Sequence, residues 1–260
     1  MTPNAAPEEA GDGLHSLTLV LSMQRSGSTL LGRDIESLGG LGIPREHLRG
    51  LDKQSRPPSE SDVLRRLGDG VDEADPGVTG LKLQVHQVRS VCRAVTGGQV
   101  DGTAEAAAAV VDWAFARFDR VFLVVLVRNA LDTAISQVVV KETGTFLSTK
   151  PALREAGAPL PVIEDVNRRI LDELQKVLRQ RAALQAVATE YADSALLVTY
   201  EQLTTELERT TERIIEHARA QSFEPREAHV TRTLEKLISA EQSETLREGF
   251  LDFLRTEPGL

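Results

Sequence analysis

The stretch at residues 17–31 constrains the fold more than any other part of the chain. It opens with an apolar run that is short and β-branched enough to predict a buried strand. A turn through Ser26, Gly27 and Ser28 follows, and the pattern then predicts a helix from about residue 28 to residue 38. In such a strand–turn–helix unit the free backbone N–H groups point at one spot, where the helix dipole adds positive potential. The stretch therefore predicts a site for a phosphate-like anion.

The residues of this turn distinguish two kinds of phosphate site. In kinases and GTPases the pattern G-x-x-x-x-G-K-[ST] places a lysine on the phosphates and a hydroxyl on Mg²⁺. Here Ser22 stands at the first glycine and Ser28 at the lysine, whereas Gly27 and Thr29 fit, and Arg25 adds a cation. The pattern thus lacks residues that carry ATP and Mg²⁺ chemistry. An ordinary junction whose serines only cap the helix is the alternative.

Composition limits the class of protein and of partner. A chain of 260 residues with 41% hydrophobic residues allows one large α/β domain or two small ones. A single cysteine, Cys92, excludes an internal disulfide and a cysteine-based zinc site. The formal charge of −9 argues against nonspecific nucleic-acid binding. It does not argue against a small anionic ligand, because such a ligand responds to its local pocket.

The chain is expected to form one domain over residues 14–260. Residues 1–13 lack the basic and apolar regions of a secretory signal and predict a disordered tail. No apolar run approaches the length that spans a bilayer, which favours a cytoplasmic location. Within the domain, residues 49–76 predict a surface excursion or lid, and residues 144–162 predict a long loop.

Strands alternate with helices along the rest of the chain. Further strands are predicted at residues 78–85, 121–127 and 195–200, and helices at residues 104–118, 130–141, 163–191, 203–218 and within the tail 224–260. This order predicts a P-loop-type, three-layer α/β/α fold with a central parallel sheet. Ligands of such sheets lie beyond the carboxyl ends of the strands. That rule groups the turn after Ser22, the strand end at Val85 and His86, and Arg128.

A second motif follows the most apolar strand. Many P-loop NTPases end a neighbouring strand with an aspartate that helps to hold Mg²⁺. This strand is followed by Arg128, whose guanidinium is suited to an oxyanion. Ser136 lies one helical turn beyond Asp132, on the same face, so its hydroxyl and Arg128 are expected to meet at one phosphate. A local salt bridge between Arg128 and Asp132 is the alternative.

Together the two motifs resemble those of sulfotransferases that use 3′-phosphoadenosine 5′-phosphosulfate (PAPS). The resemblance is closer to the bacterial trehalose 2-sulfotransferase-like branch. The opening S-Q-R-S-G-S-T-L-L of that branch is similar to residues 22–31. Its G-x-P-x-E-[FY]-[FY] element is similar to residues 42–48, which lack the two aromatic residues at its end. Its G-x-K-L strand is similar to residues 80–83. Its T-x-x-[WF] element is similar to residues 143–146. Order and spacing agree over about residues 17–200.

The resemblance implies an enzyme that moves a sulfuryl group from PAPS to a hydroxyl of a carbohydrate, a glycolipid or a related small molecule. In this family a phosphate loop holds the 5′-phosphosulfate and the R-N-x-x-D-x-x-x-S segment holds the 3′-phosphate. Glu46 corresponds to the proposed general base, with His47 as the alternative, and Arg25 and Lys82 would stabilise developing charge. The implied nucleotide-binding residues are Arg25, Ser26, Gly27, Ser28, Thr29, Leu30, Arg128 and Ser136.

The remaining expectations concern partners and alternatives. His47, His86 and Gln87 are candidate acceptor contacts, the product would be adenosine 3′,5′-bisphosphate (PAP), and no metal is expected. Neither a nucleic-acid partner nor a membrane span is expected. The helix at residues 163–191 would be part of the core or of a homodimer interface. Two other function classes stay open: a P-loop small-molecule kinase that uses ATP and Mg²⁺, and a noncatalytic nucleotide-binding protein.

Overall fold

A five-stranded sheet lies at the centre of the computed structural model, which describes residues 13–51, 56–72, 75–144, 165–227, 230 and 240–257. Its strands are β1 (Ser16–Ser22), β2 (Val71–Asp72), β3 (Asp75–Gln84), β4 (Arg120–Val127) and β5 (Ala195–Thr199). The order across the sheet is β2–β3–β1–β4–β5. Four strands, β3, β1, β4 and β5, are parallel, whereas β2 pairs antiparallel to β3 at one edge. The predicted α/β fold with a central parallel sheet is confirmed.

Nine helices surround the sheet within the described ranges. They are α1 (Ser28–Leu38), α2 (Glu60–Leu67), α3 (Val88–Thr96), α4 (Thr103–Arg117), α5 (Ala130–Thr143), α6 (Val166–Glu190), α7 (Tyr200–Thr205), α8 (Leu207–Ala220) and α9 (Ala240–Thr256). None of these helices combines the length and apolar character needed to cross a membrane.

Helices cover both faces of the sheet because its strands are apolar on both sides. One face packs against α2, α3, α4 and α6, and the other packs against α1, α7 and α8. A third cluster joins α5, α6 and α9 around the fully buried ring of Phe250. The C-terminal helix is thereby attached to α5, which begins just after the carboxyl end of β4.

The helices and strands agree with most sequence predictions, but one predicted helix is divided in two, and one helix and one strand were not predicted. The helix predicted at residues 203–218 is two helices, α7 and α8, separated at Glu206. Helix α3 and strand β2 were not predicted. Within residues 49–76, predicted as a surface excursion or lid with a weak helical pattern at Val63, Leu64 and Leu67, the structure has α2, whose Val63 and Leu67 are buried in the main core. A role of this segment as a lid stays a prediction. Residues 1–12 of the predicted tail and residues 145–162 of the predicted loop lie outside the described residues.

A close backbone approach places the segment after α1 against β3. Arg45 forms an isolated parallel bridge with Leu81, and its carbonyl accepts a hydrogen bond of 2.9 Å from the Lys82 N–H. A Cβ atom on Gly80 would lie 2.5 Å from the carbonyl carbon of Ile43, so only glycine fits there. The approach brings the next residue, Glu46, alongside the carboxyl end of β3.

We expect Gly80→Ala to lower the free energy of unfolding by about 1–3 kcal/mol, because the added methyl overpacks a backbone contact. Gly68→Ala is the matched control, since Gly68 has a helical φ of −55° and no atom would lie within 4 Å of its new Cβ. The control should be neutral or stabilise by up to about 1 kcal/mol. Urea unfolding measures the free energy of unfolding of both variants. Equal effects of the two substitutions would contradict the close backbone contact at Gly80.

Candidate functional site

The loop between β1 and α1 has three consecutive carbonyl groups that are all held by donors. The Met23 carbonyl accepts from the Ser26 N–H and, at 2.7 Å, from the Ser26 hydroxyl. The Gln24 carbonyl accepts from Gln137 Nε2 at 3.0 Å, and the Arg25 carbonyl accepts from Arg128 Nη1 at 2.9 Å. A carbonyl oxygen repels an anion. Because these three carbonyl groups are held by donors, the end of the loop is left with N–H groups that could face an anion.

Helix α1 begins immediately after this loop and supplies the N–H groups. Gly27 precedes it in the left-handed conformation with a φ of +91°, which glycine adopts without strain. The first intrahelical bond to Gly27 is made by the Leu31 N–H at 3.1 Å. The N–H groups of Ser28, Thr29 and Leu30 come before it and have no intrahelical acceptor. The turn thus has the strand–turn–helix geometry that the sequence pattern predicted, and the binding of an anion there stays a prediction.

Arg25 links this loop to α5. Its Nε donates a 3.2 Å hydrogen bond to the hydroxyl of Ser136, whose side chain is 4% exposed. The two residues come from the two sequence motifs, so the fold brings both motifs to one place. Arg25 itself has a φ of +63°, an uncommon conformation for a residue other than glycine.

Arg128 lies on the other side of Arg25, at the carboxyl end of β4. Its Nη1 binds the Arg25 carbonyl, and its guanidinium carbon lies 4.3 Å from the centre of the Tyr200 ring. Its Nε is buried and has no hydrogen-bond partner in the described part of the chain. Asp132 pairs instead with Arg247 of α9 at 2.5 Å. The local Arg128–Asp132 salt bridge is therefore not formed.

The two guanidinium groups are close enough to affect each other electrostatically. Burial lowers the pKa of Arg25, and the positive charge of Arg128 lowers it further. Arg25 remains a cation at neutral pH because arginine starts from a very high pKa. An anion bound between the loop and these two side chains would reduce their repulsion.

A second polar group lies on the β3 side of the loop. Lys82, which is 6% exposed, donates to Thr29 Oγ1 at 3.1 Å and forms an ion pair with Glu46 Oε1 at 3.2 Å. Gln84 Nε2 donates to the same Glu46 oxygen at 3.1 Å. Both donors bind Oε1, and no hydrogen bond to Oε2 is present within the described ranges. The carboxylate is thus fixed next to the first turn of α1, with one oxygen available.

The remaining predicted site residues have other partners. His47 Nε2 donates to the Ile43 carbonyl at 3.0 Å, which fixes the turn that carries Glu46. Gln87 Oε1 accepts from the Gln84 N–H at 3.0 Å and shapes the turn after β3. His86 is exposed on the same turn. Ser26, as described above, uses its hydroxyl to close the loop.

Sequence reasoning missed three residues of this site. Tyr200 directly follows β5 as Arg128 directly follows β4, so the strand-end rule that selected Arg128 would also have selected Tyr200. Gln84 is the last residue of β3, and the same rule applies to it. Gln137 holds the Gln24 carbonyl, yet nothing in its sequence context distinguishes it from other helical glutamines.

The arrangement can bind an extended anion and deprotonate a neighbouring group. Backbone N–H groups and Arg25 lie at the centre, Arg128 and Ser136 at one side, and Lys82 at the other. Glu46 lies beside Lys82. Among the described residues, no group of three or more His, Cys, Asp or Glu side chains is arranged to hold a metal ion.

Comparisons with known proteins give structural matches only. No family model matches the chain, and no curated protein does. A crystal structure of a sulfotransferase from Alicyclobacillus acidocaldarius has a TM-score of 0.44 and 13% sequence identity, covering 90% of this chain and 91% of that chain. Sulfotransferase STF9 from Mycobacterium avium has a TM-score of 0.43 and 13% identity, covering 95% of this chain and 69% of that chain.

The site geometry predicts that Gln137 supports the loop. We expect Gln137→Leu to lower the free energy of unfolding by about 1 kcal/mol, because the hydrogen bond to the Gln24 carbonyl is lost. We also expect a smaller rise in thermal midpoint with inorganic pyrophosphate, since that carbonyl is no longer held away from the anion. Gln185→Leu, at an exposed position of α6, is the control and should change stability by less than about 0.5 kcal/mol. Equal pyrophosphate effects in both variants would contradict this role.

Proposed function

We propose that the protein transfers a sulfuryl group from PAPS to a hydroxyl group of a small-molecule acceptor, a carbohydrate, a glycolipid or a related alcohol. The family resemblance of the two motifs supports this proposal. The geometry supports it independently, because the residues of both motifs lie around one loop.

The observation that carries the proposal is the pair of cationic groups on opposite sides of this loop. On the β4 side, Arg128 and Ser136 flank Arg25. On the β3 side, Lys82 contacts Thr29 in the first turn of α1. PAPS carries a 3′-phosphate well separated from its 5′-phosphosulfate, so a ligand of this kind has anionic groups for both sides. Arg128 and Ser136 suit the 3′-phosphate, and the loop with Arg25 and Lys82 suits the phosphosulfate.

The proposed reaction places each charge next to a residue of opposite character. The acceptor oxygen forms a bond to sulfur while the bond between sulfur and the bridging oxygen of the 5′-phosphate breaks. The electron pair of that bond stays on the departing PAP, where Arg25, Lys82 and the loop N–H groups stabilise it. The acceptor proton passes to Glu46. Because transfer of this kind is loose, positioning provides most of the rate enhancement.

Glu46 is the better candidate for the base than His47. The Glu46 carboxylate lies beside Lys82, which itself contacts the first turn of α1. The His47 ring instead donates its Nε2 proton to the backbone of Ile43, four residues earlier. A proton acceptor must lie within reach of the reacting hydroxyl, and the contacts of Glu46 favour that position.

The donor site can be tested by thermal stabilisation. We expect PAP to raise the unfolding midpoint strongly, because a ligand at 100 times its dissociation constant adds about 2.7 kcal/mol to stability. Arg128→Ala should remove most of this shift. Arg209→Ala is the control, since Arg209 is an exposed arginine whose ion pair among the described residues is with Glu206, three residues earlier. Mg²⁺-ADP is compared at the same concentration.

The outcomes separate the function classes. A shift with Mg²⁺-ADP and none with PAP would overturn the sulfotransferase proposal and favour a small-molecule kinase. A shift with PAP that Arg128→Ala and Arg209→Ala both retain would place the 3′-phosphate elsewhere.

The general base can be tested with Glu46→Gln, which keeps the shape of the side chain. We expect kcat to fall by about 10²–10⁴-fold, because proton transfer to a positioned base contributes about that much. PAP binding should be retained. Transfer of a labelled sulfuryl group to a panel of sugars and glycolipids measures activity, and Glu212→Gln, at an exposed position of α8, is the control. Retained activity in Glu46→Gln would exclude Glu46 as the base. Lost activity in both Glu46→Gln and the control variant would show that the loss is not specific to Glu46.

A further inference from the structure

Tyr200 lies between the two halves of the proposed donor site. The register of β4 and β5 pairs Val127 with Thr199, so the residues that follow, Arg128 and Tyr200, leave the sheet side by side. The next pair is also joined, since the Asn129 N–H donates to Glu201 Oε1 at 3.0 Å. The ends of these two strands are therefore held together beyond the last sheet pairing.

One side of the Tyr200 ring faces the anion-binding loop. A Cβ atom on Gly27 would overlap the ring at Cδ2 and would lie 2.9 Å from Cε2. The ring thus occupies the space that a side chain at position 27 would need. Gly27 is required for this contact as well as for its positive φ.

The Tyr200 ring also packs against Arg128. The guanidinium carbon lies 4.3 Å from the ring centre, well within the range of a cation–π contact. The ring covers one surface of the guanidinium, and the Arg25 carbonyl holds Nη1. An arginine side chain loses considerable rotamer entropy when it is ordered. Fixing it before a ligand arrives reduces that cost at binding.

We propose that Tyr200 is a positioning residue that holds the Arg128 guanidinium in place for the 3′-phosphate of the donor. The inference rests on the proposed function and adds a residue to it. Tyr200 acts through Arg128, and its ring is the part that matters. The two contacts described above are made by the ring, so we expect Tyr200→Phe to keep this role.

The alternative is that Tyr200 only fills space beside the loop. A space-filling role would affect every nucleotide that uses the loop, whereas positioning of Arg128 affects only a ligand with a 3′-phosphate. Comparison of PAP with adenosine 5′-phosphate, which lacks the 3′-phosphate, separates the two roles.

The test measures the dissociation constants of both nucleotides by calorimetry. The proteins are wild type, Tyr200→Phe and Tyr200→Leu, and the same three proteins with Arg128→Ala added. We expect Tyr200→Leu to weaken PAP binding about 2- to 30-fold, the range that a cation–π contact supplies. Tyr200→Phe should bind PAP like wild type. Neither variant should change binding of adenosine 5′-phosphate, and with Arg128→Ala the Tyr200→Leu change should add no further loss.

Four results would overturn the inference. Tyr200 would have a space-filling role if Tyr200→Leu weakens the binding of both nucleotides equally. The same would follow if Tyr200→Leu weakens PAP binding by the same factor in the Arg128→Ala protein. An unchanged PAP affinity in Tyr200→Leu, with a loss in Arg128→Ala, would overturn this inference alone. If wild type does not bind PAP, the proposed function and this inference fail together.

A measurement on the wild-type protein without ligand covers the case in which a variant fails to fold. The ring current of Tyr200 should displace the NMR signal of the buried Arg128 Nε proton from its usual position. Tyr200→Phe should preserve this displacement. A signal at the ordinary arginine position in wild type would show that the ring does not hold the guanidinium, and would overturn the proposal.

Discussion

The parallel pairing of β1 with both of its neighbours is the constraint on which the rest of the site depends. Ser22, the last residue of β1, is in register with Gln84 of β3 and with Leu126 of β4. Because neighbouring strands lie about 4.8 Å apart, the chain leaves all three at the same edge, within side-chain reach of one loop. The successive strands β3 and β4 lie on opposite sides of β1, which creates the crevice where ligands of such sheets bind.

Local charge at this crevice opposes the charge of the whole chain. The protein has a formal charge of −9, yet three buried or partly buried cations, Arg25, Lys82 and Arg128, surround the loop. Repulsion between the two arginines is a cost that the fold offsets with fixed partners: a backbone carbonyl and an aromatic ring for Arg128, and a serine hydroxyl for Arg25. These few groups, and not the net charge of the chain, favour an anion at the proposed site.

Features that depend on local pattern could be predicted from the sequence. Helix α1 begins and ends as predicted, because the turn residues before it and the glycines after it mark both ends. Strand β2 is too short to produce a pattern. The position of Glu46 was expected from resemblance alone, since the backbone approach at Gly80 that brings it to Lys82 joins segments far apart in sequence. Gln137 was missed because its partner is a backbone carbonyl in another element, which leaves no mark on the sequence.

The left-handed conformation of Arg25 sets stability and ligand binding against each other at one position. A non-glycine residue with a φ of +63° carries a backbone cost of about 1–2 kcal/mol. Glycine would remove this cost, and would also remove the guanidinium that reaches Ser136. Selection for heat resistance alone therefore favours a residue here that weakens the anion site. Arginine at this position is what we expect if the proposed anion binding takes precedence over folding stability.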